Sequence, residues 1–70
     1  MTVNIYSIRT DEVDSSNTYI GIAAPASVET DLVWQIKKIV VSGAITKVFF
    51  ASGTKLFDKS WTLRATYIYS

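Results

Sequence analysis

The last ten residues alternate in character. Trp61, Leu63, Ala65, Tyr67 and Tyr69 take the odd positions, and Thr62, Arg64, Thr66, Ile68 and Ser70 the even ones. Successive side chains on a strand point to opposite faces, so this spacing predicts a strand with one greasy face and one mostly polar face. Chain ends commonly fray. Three large aromatics carried this far along the chain predict that the segment packs against something.

A chain of 70 residues makes one domain, here taken as residues 1–70, and buries only about 60% of its unfolded surface. Stability at this size usually needs disulfides, a metal or a partner. Cysteine and histidine are both absent. That excludes disulfides, zinc fingers and thiol chemistry, and removes the commonest metal ligand and the commonest general base. A dense core or association with other chains is left. The nine aromatics suit either, because rings bury much area at low entropic cost. No stretch approaches the roughly 20 apolar residues that span a bilayer, and Met1-Thr2-Val3-Asn4 lacks the basic and apolar segments of a signal peptide. The expectation is a soluble protein made in a cytoplasm, with no membrane partner.

Residues 1–31 carry one basic and five acidic groups, net −4, and residues 32–70 carry six basic and one acidic, net +5. Such asymmetry suits a polyanion, or lets the acidic part of one copy meet the basic part of another. The simpler outcome is that folding mixes the two halves.

Along the chain, residues 3–9 mix Val3, Ile5, Tyr6 and Ile8 and read as a first strand. Residues 10–18 hold three acids, two serines and Asn17 around a lone Val13, and read as a mobile acidic surface loop. Residues 19–24 read as a short second strand. Gly21 within it marks a bulge or a close backbone approach, and Pro25 ends it. Residues 32–41 allow two readings. Leu32, Ile36, Ile39 and Val40 lie at helical spacing behind a cap at Thr30 or Asp31; the β-branched content favours a strand, with a bulge at Lys37-Lys38. The strand is preferred because Ser42-Gly43-Ala44 and the β-rich run 45–51 follow at once, as in a hairpin. Apolar groups on both faces of that run predict a strand covered on both sides. Ser52-Gly53-Thr54 is a turn. The expected fold is all-β, a small five-stranded antiparallel sandwich or partly open barrel. The alternative is α+β with a helix at about 30–41.

Chemistry is hard to place. Asp11, Glu12 and Asp14 lack the glycine bend and distal glutamate of a calcium loop. On a strand Lys37 and Lys38 point opposite ways, and Gly43 and Gly53 are isolated turn residues rather than a phosphate cradle. No catalytic, cofactor-binding or metal-ligating residues are assigned, no cofactor is expected, and the chain reads as a non-enzyme. A small barrel can also bind single-stranded nucleic acid by stacking bases along a basic groove. Phe49, Phe50, Trp61, Lys47 and Arg64 are the residues for that alternative. The competing assignment puts these rings in the core, and the pI near 8.0 lies below that of a dedicated binder.

Several fragments together resemble a known class. They are Tyr19-Ile20-Gly21 with Ala23-Ala24-Pro25, Trp34-Gln35-Ile36-Lys37-Lys38-Ile39, and Ala51-Ser52-Gly53. Phe57-Asp58-Lys59-Ser60-Trp61, Arg64-Ala65 and Tyr67-Ile68-Tyr69-Ser70 complete the set. Over residues 17–70 the chain resembles the very short β-rich proteins encoded among the virion structural genes of tailed bacteriophages. It departs from their pattern where Lys55 and Lys59 stand in a turn that is otherwise acidic. The resemblance implies a virion component made in the host cytoplasm: a head decoration or cement protein, a neck adaptor, or a tail or fibre attachment piece. Its partners would be other virion proteins or copies of itself, with nucleic acid as the lesser alternative. In such a protein Trp34, Phe49 and Phe57 are the expected core anchors, and Trp61, Arg64, Tyr67 and Tyr69 the expected interface. A weaker alternative is a small inhibitor of a host enzyme, presenting residues 10–18.

Overall fold

A computed structural model describes residues 6–70, and it is built on one antiparallel sheet. Strands β1 (Ser7–Asp14), β2 (Asn17–Ala23), β3 (Gln35–Ser42) and β4 (Ile45–Phe50) lie in chain order. A 3₁₀ helix, Trp61–Thr66, follows them. The molecule is a flattened slab, 37 × 30 × 18 Å.

Two of these elements replace what the sequence predicts. Residues 10–18 are not a loop; they form most of the first hairpin, with Thr10 opposite Ile20 and Glu12 opposite Thr18. Charged residues are tolerated there because β1 is an edge strand, where they discourage further pairing. The turn is closed by Asp14, whose carboxylate accepts the Ser16 amide at 2.8 Å and the Asn17 side-chain amide at 3.1 Å. Those bonds hold the exposed Asp14 carboxyl below its usual pKa, the Ser16 amide contributing most. The register slips between Glu12 and Asp14, so Val13 is a bulge, a device that also blunts an edge. Of the expected first strand, residues 3–5 lie outside the described residues, and Ser7, Ile8 and Arg9 belong to β1.

The second replacement is at residues 61–66, which form a 3₁₀ helix instead of a final strand. The Ser60 carbonyl accepts the Leu63 amide at 3.1 Å, and the Thr66 hydroxyl donates to the Leu63 carbonyl at 2.6 Å. Threonine side chains offer the backbone such local partners in competition with a sheet ladder. Side chains three apart eclipse in a 3₁₀ helix, so Trp61, Arg64 and Tyr67 share the inward side while Leu63 and Ala65 face out. Alternation survives only at the end of the segment. Tyr67 and Tyr69 are half-buried, and Ile68 between them is 81% exposed.

Residues 35–41 settle as strand, and Trp34 before them makes an isolated bridge to Lys59. β3 pairs with β2 from Asn17↔Val40 to Ile22↔Gln35 and with β4 from Lys37↔Phe50 to Ser42↔Ile45. Both ladders run without a shift, so neither the helix at 30–41 nor the bulge at Lys37-Lys38 forms. The β3–β4 turn places Gly43 first at φ +61°, as a type II′ hairpin requires.

The core lies on one face of the sheet and consists of Ala23, Trp34, Ile36, Ala51 and Trp61. The two indoles sit 6.1 Å apart, tilted by 41°. Gly21 makes room for them: a Cβ there would lie 2.6 Å from Cε3 of Trp61 and 3.2 Å from Cε3 of Trp34. The close approach expected at Gly21 is therefore an aromatic ring against bare backbone. Phe49 is half-buried, and Phe57, expected as a core anchor, is 45% exposed and stacks on Tyr6 at 6.4 Å. Phe57 lies in the excursion 52–58, outside any strand, so no ladder turns it inward.

Candidate interaction surface

The expected interface residues all make contacts within the molecule. Trp61 is core. The Arg64 guanidinium lies 4.6 Å from the Trp61 ring and meets the Asp11 carboxylate with Nε at 3.0 Å and Nη2 at 2.9 Å. The Tyr67 hydroxyl accepts the Ser60 amide at 2.8 Å, and the Tyr69 hydroxyl donates to the Arg64 carbonyl at 2.7 Å. Burial, reinforced by Tyr19 and Tyr67, pushes the Tyr69 phenol well above its usual pKa. The backbone after Tyr67 is used too. Phe50 and Ser70 exchange both N–H···O bonds, at 3.1 and 3.2 Å, and Ser52 donates to Ile68 at 2.7 Å. Beside this segment an open depression of about 400 Å³ is lined by Ser52, Thr66, Tyr67, Ile68 and Ser70. None of these five side chains is charged.

Cations over rings recur on the covered face. Arg9 lies 5.5 Å from Trp34 and pairs with Glu29 at 3.3 Å, and Lys38 lies 5.6 Å from Tyr19 and 6.0 Å from Tyr69. Lys59 is only 8% exposed; its ammonium pairs with Asp58 and sits 5.9 Å from Tyr67. Contacts of this kind are worth about 0.5–1 kcal/mol at exposed sites and more when desolvated. They let a chain with few aliphatic core residues close one side of its sheet. They also answer the charge asymmetry in part: Asp11 of the acidic half meets Arg64 of the basic half, whereas Arg9–Glu29 and Asp58–Lys59 are pairs within a half.

Among the described residues, the opposite face has no such cover. Pairing places Ile8, Thr10 and Glu12 of β1 beside Thr18, Ile20 and Ile22 of β2. Gln35, Lys37, Ile39 and Val41 of β3 follow, then Thr46, Val48 and Phe50 of β4. The 3₁₀ helix lies on the other side, where Trp61 faces Gly21. Among the described residues only the excursion 52–58 reaches this face, at one end, where Gln35 donates to the Lys55 carbonyl at 2.8 Å. Ile8 and Val48 are more than half exposed, while Ile20, Ile22, Ile39 and Phe50 are half-buried by their neighbours. An antiparallel sheet that faces water on one side normally alternates apolar-in with polar-out. This one carries branched aliphatics in the middle of its wet face.

The apolar character of both faces of 45–51 was the legible signal for this surface. The bulge expected at Lys37-Lys38 concealed the rest, because it breaks the parity that sets Lys37 with Ile39 and Val41. The residues of the nucleic-acid alternative do not gather. Phe49 and Phe50 lie on opposite faces, Trp61 is buried and Arg64 is paired. Among the described residues, no group of three or more carboxylates could hold a metal ion, and no helix is long and apolar enough to cross a membrane. Comparison with protein-family models, with curated proteins and with solved structures gives no match.

Proposed function

We propose that this chain is a non-enzymatic assembly protein, a structural component of a tailed-bacteriophage virion that works in many copies. The observation that carries this is the uncovered apolar face around Ile20, Ile39 and Val48. Contiguous apolar patches on a soluble domain mark sites where another macromolecule docks. A neighbour that binds only the folded form also adds stability by mass action, which matters where only five of the described residues are buried hydrophobics. The sandwich expected of a small all-β chain would then be completed by a neighbour. Residues 61–70 brace the subunit from inside and leave the sheet face as the contact.

The test is quantitative mass spectrometry of virions purified from a host that produces the chain. Many copies per particle are expected, with Val48→Lys strongly depleted while its soluble pool is unchanged. Absence of the protein from purified particles would overturn the proposal.

A further inference from the structure

The geometry points to a definite occupant for the open face: the same face of a second copy, related by a two-fold axis that sets Glu12 of each copy against Lys37 of the other. This deepens the assembly proposal above and rests on it only for the biological setting.

The argument begins with charge. Within the strands, the open face carries one acid, Glu12, and one base, Lys37. Among the described residues neither makes an ion pair; Lys37 instead lies 5.7 Å from the Phe50 ring on the same face. They do not meet within one copy, where Lys37 turns to the Phe50 ring instead. They stand two strands apart and one cross-strand row apart, in the rows Thr10-Ile20-Lys37-Phe50 and Glu12-Thr18-Ile39-Val48. At ordinary strand and residue spacings that is roughly 12 Å. A two-fold axis lying between two stacked sheets exchanges such diagonal positions. Each glutamate then faces a lysine, and both pairs form at once. That is the self-complementarity an isologous contact requires.

The same operation treats the rest of the face well. Its axis passes between Thr18 and Ile20 on β2, so the branched side chains of β2 and β3 meet their counterparts near the centre, where an interface is driest. At the same spacings the strands of the two copies cross at roughly 70°, closer to the orthogonal than to the aligned class of sheet packing. Other self-contacts fare worse. Pairing β1 edge to edge sets Asp11, Glu12 and Asp14 against their own copies, and the Val13 bulge interrupts that edge.

The experiment is sedimentation equilibrium of the full chain from low micromolar to millimolar concentration, at low and high salt. A reversible monomer–dimer equilibrium, weakened by salt, is expected. Glu12→Lys and Lys37→Glu should each raise the dissociation constant at least tenfold, and the double reversal should return it to within a few-fold of the original. Val48→Lys should abolish dimers. Val48→Thr, which keeps a β-branched residue, serves where the lysine variant fails to fold, and circular dichroism checks each fold. A monomer at every concentration, assembly that does not stop at two, or a double reversal that fails to rescue would overturn this inference. A monomer that still enters virions, in a manner blocked by Val48→Lys, would leave the assembly proposal standing and make the occupant another virion protein.

Discussion

Gly21 shows how much one missing side chain can decide. It is opposite Arg9 on β1 and Ile36 on β3, and the Trp61 ring occupies the space its Cβ would take. Gly21→Ala is therefore expected to destabilise the protein by about 1–3 kcal/mol, the usual cost of overpacking, read as a lower midpoint in urea with an unchanged slope. Ala26 presents the opposite case. It follows Pro25 in a turn closed by the Ser27 amide on the Ala24 carbonyl at 3.2 Å, and it holds φ at +66°. That conformation costs an L-residue about 1–2 kcal/mol, while glycine gives back about 0.5–1 kcal/mol in entropy. Ala26→Gly should raise stability by about 0.5 kcal/mol in the same assay. Gly21 was legible in the sequence as a close approach. Ala26 was not, because nothing about an alanine announces a positive φ.

At the scale of elements, the first hairpin and the 3₁₀ helix carry the lesson. Residues 10–18 look like a loop when hydropathy alone is weighed. They form strand because an edge position tolerates charge and because Asp11 finds Arg64, 53 residues away. No local pattern contains that partner. Residues 61–66 look like a strand when alternation alone is weighed, yet the Ser60 carbonyl and the Thr66 hydroxyl make local hydrogen bonds and the inward spacing becomes three. Where ladders are continuous and turn chemistry is explicit, as for β2, β3, β4 and Gly43, the strands expected from the sequence form, although the bulge expected at Lys37-Lys38 does not. The hairpin turn also has a pH signature. Asp14 titrates lower in the folded state than in the unfolded one, so its stabilising effect is present above the unfolded pKa and is lost as pH falls through the folded one. Stability should therefore decline as pH falls below the ordinary carboxylate range. Asp14→Asn keeps an acceptor for the Ser16 amide and should flatten that acid limb in melting temperatures taken across the range.

At the scale of the molecule, among the described residues one face is closed by side chains reaching over long sequence separations and the other is left open. The Asp11–Arg64 pair joins the first strand to the 3₁₀ helix. Both side chains are about a third exposed, so solvent screens them, and a double-mutant cycle through Asp11→Asn and Arg64→Met should return a coupling below about 1 kcal/mol. A larger value would mean that the pair is held rigidly by the ring beneath it. The open face was only half legible. Apolar residues on both sides of 45–51 announced a cover, but a single chain cannot show that its cover is another molecule.

The slot over Gly21 also bears on the order of events in folding. β1–β2 and β3–β4 are hairpins between sequence neighbours, the contacts that form early because little chain must be closed. Trp61 enters a gap that exists only once β2 and β3 are side by side. Changes within residues 61–66 should accordingly speed unfolding and leave the refolding rate nearly untouched, the signature of contacts made after the barrier. Two indoles held 6.1 Å apart also form a built-in optical gauge, since their coupled near-ultraviolet dichroism can arise only after that wedge is home.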